Sequence, residues 1–194
     1  MKKKSRVLAS ILAAAAVVAA VAGVQVVNAD SEKVYVPSSY GETAVYKVDG
    51  PRTFGDILGM DASDIDHICV LVYGDYFTIS DPAQVEDFVT KLSNVEFQHL
   101  SSDPGMCGGT YTLLIFPKDG KGYLQIGDGG SGKILNEDGA AFPVEDGNYQ
   151  IEEDTIQTWW DVNGAYYNAA QADHALTNYA YDTGFTTADF YAAK

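Results

Sequence analysis

IDHICVLVYGDYFTISDPAQVEDFVTKLSNVEFQHL, residues 65–100, decides the fold, because strand, turn and helix signals agree along its length. Residues 68–73 are rich in β-branched side chains, Gly74 and Asp75 make a turn pair, and residues 76–79 resume as a second strand. A helix over 81–93 follows at once. Asp81 is a natural N-cap, Pro82 suits the first helical position and Gln84 the third, while Val85, Phe88, Val89 and Leu92 recur at i, i+3, i+4 and i+7. That spacing predicts one buried face. Glu86 and Asp87 lie toward the positive end of the helix dipole and Lys91 toward the negative end, in agreement with the capping. Ser93 and Asn94 end the helix, and residues 95–100 read as strand again.

Upstream, residues 1–29 form an export signal: Lys2, Lys3, Lys4 and Arg6 precede an apolar run from Val7 that closes on Val27, Asn28 and Ala29. Left uncut, the same run is about long enough to anchor the chain in a bilayer, the one membrane attachment the sequence suggests. Cleavage removes four of the twelve basic residues and none of the 27 acidic ones, leaving 8 against 27 and a formal charge of −19. Such a balance excludes nucleic acid as a natural partner, since phosphate backbones require the opposite sign. Cationic partners and divalent metals stay open, beside plain solubility outside the cell. Residues 30–44, broken by Pro37 and Gly41, read as a flexible lead-in. A single domain over 45–160 and a Tyr/Ala/Asn-rich segment over 161–194, helical or partly disordered, complete the division.

Downstream of the central stretch, strands outnumber helices. Residues 101–109 are loop by composition, 110–116 are strand with Tyr111, Leu113 and Ile115 on one face, and 123–126, 133–136, 140–144 and 148–151 are further short strands. Asp154 is placed to cap a second helix running through Ile156, Trp159 and Trp160. The expected class is α+β: an antiparallel sheet of five to seven short strands on one main amphipathic helix, 81–93, plus a C-terminal helix.

Chemistry-bearing motifs are few. Gly127 to Lys133 spells G-x-x-x-x-G-K, but Ile134 stands where a phosphate loop needs its hydroxyl and no helix follows, so a glycine-rich hairpin is expected. Asp61, Asp64 and Asp66 lack the calcium-loop spacing and read as a cap or solvated turn. His67 and Cys69 share a strand face without a metal-ligand pattern. Cys107, between Met106 and two glycines with His99 eight residues upstream, is the one nucleophile candidate. In an exported chain the two cysteines, Cys69 and Cys107, are also candidates for a disulfide closing a loop of about 38 residues. No cofactor is called for. The aromatics are more informative: Trp159, Trp160, Tyr166 and Tyr167 cluster near the C-terminus as a candidate binding surface, the alternative being that a tryptophan plugs the core.

The run from Asp56 to Phe97, followed by TYTLLIFPKDGKGYLQI and DGNYQI, resembles small exported α+β domains of unknown function common in Gram-positive bacteria. They show a similar strand pair, a D-x-x-x-V-x-x-F/I-V/I-x-x-L helix and a meander with a D-G turn, here across about residues 55–151. The resemblance implies no activity and carries over no catalytic residue. Together these readings predict an exported, strongly acidic, non-catalytic binding module with a protein or small-molecule partner outside the cell. The competing expectation is a secreted enzyme using Cys107 or a carboxylate pair.

Overall fold

The alternation of Ile68, Val70 and Val72 with His67, Cys69 and Leu71 sends apolar side chains to both sides of one strand, so this strand needs cover on both faces. The computed structural model supplies it. It describes residues 33–38, 41–47, 49–101, 109–120, 122–128, 133–135, 148–180 and 184–193. The fold is α+β.

Eleven strands are described: β1 (Lys33–Ser38), β2 (Gly41–Tyr46), β3 (Arg52–Thr53), β4 (Ile65–Val72), β5 (Asp75–Ile79), β6 (Glu96–Leu100), β7 (Thr112–Pro117), β8 (Tyr123–Gly127), β9 (Lys133–Leu135), β10 (Asn148–Ile151) and β11 (Thr177–Asn178). The helices are α1 (Phe54–Leu58), α2 (Pro82–Leu92), α3 (Ile156–Ala172) and α4 (Thr187–Ala192). The main sheet runs β11-β5-β4-β7-β8-β9, a smaller one runs β10-β6-β3, and β1 and β2 pair alone, all antiparallel. The strands therefore form two sheets and a hairpin where the sequence suggested one sheet.

On the inner face of the main sheet, Ile68, Val70, Phe77, Leu113, Ile115 and Ile126 meet Val85, Phe88 and Leu92 of α2 and Trp159 of α3. Helix α2 starts as its sequence dictates: the Asp81 carboxylate accepts from the backbone N–H of Ala83 and Gln84, and Pro82 leads the first turn. The outer face carries Cys69, Tyr76, Leu114, Phe116 and Tyr123, covered by Phe190 and its neighbours in the last segment. His67 fixes that cover: its ring stacks on Phe116 at 4.3 Å, Nε2 lies 2.8 Å from the Phe190 carbonyl oxygen, and Nδ1 lies 2.8 Å from the Asp66 carboxylate.

Five expectations are corrected. Residues 33–38 and 41–46, expected within a flexible lead-in, pair as the antiparallel strands β1 and β2. No boundary falls at 160, because α3 runs unbroken to Ala172 and residues up to 193 close the outer face. Helix α2 is not the one main helix: α3, at 17 residues, is longer and buries Trp159 among Phe54 and Phe97. Thr155, not Asp154, precedes α3, and its hydroxyl accepts from the Glu96 N–H, tying the helix start to β6. The β4–β5 turn is Tyr73 and Gly74, one residue earlier than expected, since Val72 pairs with Asp75. The expected strand at 140–144 lies outside the described residues.

Candidate binding surface

The β4–β5 turn places an aromatic side chain where packing does not reward it. A two-residue hairpin turn matched to strand twist needs positive φ at both central residues. Gly74 meets this with φ 95°, and Tyr73 does so at φ 49° although it carries a Cβ. A bulky residue there costs about 1–2 kcal/mol. Tyr73 is 84% exposed and recovers none of that by burial. Gly74 is required on other grounds too: a Cβ there would stand 2.9 Å from the Ala180 side chain, where the last segment donates two backbone N–H groups to the Gly74 carbonyl.

Tyr111, just ahead of β7, sits beside this turn. Partial burial raises its phenol above the ordinary value, and the neighbouring Tyr73, Tyr167 and Asp128 push it the same way. Asp128 follows β8 and joins three parts of the chain. Its Oδ1 accepts from the Tyr111 backbone N–H at 3.1 Å, and its Oδ2 accepts from the Trp160 indole Nε1–H at 3.0 Å. Gly164, one turn along α3 from Trp160, lets the Tyr111 hydroxyl approach, since a Cβ there would be 3.4 Å from it. Half-buried Asp128 thus joins Tyr111 to Trp160, and Tyr73 and Tyr167 lie near the Tyr111 phenol. Trp160, at 40% exposure, and Tyr73 are the exposed large hydrophobic residues of the described chain. Among the described residues no cation pairs with Asp128.

The four aromatics singled out in the sequence divide between roles. Trp159 is fully buried, 6.5 Å from Phe54 and 6.0 Å from Phe97, and plugs the core. Tyr166 turns toward α2: its ring meets Phe88 edge-on at 4.9 Å, and its hydroxyl donates to Asp87 at 2.7 Å. Burial and that carboxylate raise the Tyr166 phenol well above the ordinary range. Of the four, Trp160 joins Asp128 and Tyr167 lies near the Tyr111 phenol. Sequence reading missed Tyr73, Tyr111 and Asp128, of which only Tyr73 left a local signal, an aromatic beside a turn glycine.

Cys69 is a free thiol. Its strand neighbours fix it on the outer face beneath α4, with Sγ 3.7 Å from the Phe190 carbonyl oxygen and 3.8 Å from the Thr78 hydroxyl. Burial pushes the thiol up to about 12, against a slight lowering by Thr78, so it is an inert core group. Cys107 lies outside the described residues. His99 is buried, stacks on Tyr149 at 4.9 Å, and has Nδ1 3.3 Å from Asp49 Oδ1, within ion-pair reach but not aligned as a hydrogen bond. Partial burial raises the Asp49 carboxyl, and Arg52 and His99 outweigh it, leaving the group below its ordinary value.

A cleft of about 470 Å³ between the turn at Ala62–Asp64 and α2 is lined by Asp61, Ser63, Glu86, Thr90 and Lys118, with Lys118 Nζ donating to the Ser63 carbonyl. No group of three or more His, Cys, Asp or Glu able to hold a metal occurs among the described residues. The Gly127–Lys133 motif begins at the end of β8 and ends in β9, and among the described residues no helix follows it to receive a phosphate.

Comparisons with protein families, characterised proteins and solved structures find no match.

Proposed function

We propose that the protein is an exported, acidic, non-catalytic binding module whose contact face is formed by Tyr73, Tyr111, Trp160 and Tyr167 around Asp128. The observation that carries this reading is Tyr73: an aromatic ring held at positive φ and 84% exposed costs the fold something and stabilises none of it. Aromatic side chains with few rotatable bonds are what interfaces use for contact area at low entropy cost. Trp160 adds a second ring whose orientation is fixed by Asp128 before any partner arrives, which reduces the ordering cost of binding. Export rests on the basic, apolar and small-residue succession of residues 1–29, and the resemblance to small exported domains of Gram-positive bacteria agrees with it.

The test is selection of a random peptide library on the native protein, followed by rebinding to a Tyr73→Asn/Trp160→Gln variant. Asparagine tolerates positive φ, so the turn survives the exchange. Selected peptides should lose most of their affinity for the variant. Peptides that bind both proteins equally would remove this face as the binding surface. Mass analysis of protein recovered from the medium of its own cells checks export: the chain should begin at Asp30.

A further inference from the structure

Resting on that reading of the surface, we propose that its ligand is the ammonium-bearing side chains of a basic peptide segment. Aromatic faces carry negative charge density, and a carboxylate among them adds a full charge of the same sign, so the combination attracts a cation far better than a neutral chain. Asp128 has its two oxygens held by N–H donors from Tyr111 and Trp160, which orient it while leaving its charge unneutralised by any cation among the described residues.

One turn away the molecule shows the same chemistry completed from within. Lys91 Nζ lies 5.6 Å from the centroid of the Tyr166 ring while paired to the Asp87 carboxylate, which also accepts from the Tyr166 hydroxyl. Ring, carboxylate and ammonium are all present there. At Trp160 and Asp128 a ring and a carboxylate are present, and among the described residues no ammonium joins them. The excess of 27 acidic over 8 basic residues from Asp30 onward, a formal charge of −19, adds a long-range attraction for basic partners and disfavours acidic ones. A basic peptide fits better than a small quaternary ammonium, because Tyr73 stands open to solvent rather than closing a cage.

The experiment titrates tetralysine, and tetralysine acetylated on its side chains, into the Trp159→Phe protein, in which Trp160 is the sole fluorophore of its kind. Trp159 is a suitable residue to replace, since its buried indole N–H has no acceptor among the described residues. Tetralysine should shift the Trp160 emission saturably, with acetylation weakening binding by about tenfold or more and added salt weakening it further. Tyr73→Asn should weaken it about threefold, while Glu86→Gln, a charge removal elsewhere, should leave it within about twofold. Absence of a Trp160 response to tetralysine, or equal binding of the acetylated peptide, overturns the inference. Equal binding by Tyr73→Asn and Glu86→Gln does so as well, by reducing the effect to general acidity. The two proposals fail separately: library peptides that map to this face but are neutral would keep the surface and discard the ammonium.

Discussion

Asp128 is the residue through which the candidate surface holds its shape, and a double-mutant cycle with Trp160 measures that directly. Trp160→Phe keeps a ring and deletes the indole donor, and Asp128→Ala deletes the acceptor. The bond is 3.0 Å long and charge-assisted, a class that contributes about 1.5–3 kcal/mol when well shielded. Both partners are partly open to water here, which lowers the expected coupling to about 1–2 kcal/mol. Asp128→Ala also strands the Tyr111 N–H, so its own cost should be about 2–3 kcal/mol and exceed that of Trp160→Phe. Urea unfolding of the four proteins at one pH yields the coupling from the midpoints, provided the slopes agree. A coupling below about 0.3 kcal/mol, within the usual additivity of independent sites, would refute the claim that Asp128 positions the indole.

Phe88→Ala should cost about 3–5 kcal/mol in denaturant unfolding, since the ring is fully buried between α2 and the sheet and pairs edge-on with Tyr166. Alkaline pH should destabilise the fold through the outer-face cluster. Cys69 is raised from 9.0 to about 12, so its contribution is complete below about pH 9 and is lost as pH rises toward 12, on the order of 4 kcal/mol at the limit. Tyr76, Tyr123 and Tyr179 are raised in the same direction, and Cys69→Ala should flatten the decline in urea melts compared above and below pH 9. His67→Phe should loosen α4 by removing the bond to the Phe190 carbonyl, seen as faster amide exchange over residues 187–193 and as native alkylation of Cys69. Gly164→Ala should change stability by less than about 1 kcal/mol, the gain in helix propensity being offset by a methyl held 3.4 Å from the Tyr111 hydroxyl, as read from urea midpoints.

Residues 65–100 were legible because every signal in them is local: a cap, a proline, a 3.6-residue spacing and a β-branched run each act within one element. The opposite orientation of Cys69 to Ile68 and Val70 was equally legible from strand alternation, and it places Cys69 in the outer cluster. What covers that outer face was not legible, since Phe190 lies 121 residues from Cys69 and nothing in TTADFYAA announces a long-range contact. The space beneath Cys69 is filled by α4, whose Phe190 carbonyl oxygen lies 3.7 Å from Sγ. Half of the candidate surface was legible as aromatic composition in Trp160 and Tyr167. The other half depends on a turn register and on a side chain–indole hydrogen bond between residues 32 apart, neither of which composition encodes.

The most direct test of the binding surface is a two-dimensional NMR titration of the isotope-labelled protein with tetralysine. Shift changes should concentrate on the Trp160 indole N–H, the amides of Tyr73, Gly74, Tyr111 and Asp128, and Gly164 on the facing helix. Changes spread evenly over the acidic surface, or centred on the Glu86 and Asp61 cleft with the Trp160 indole unmoved, would contradict it.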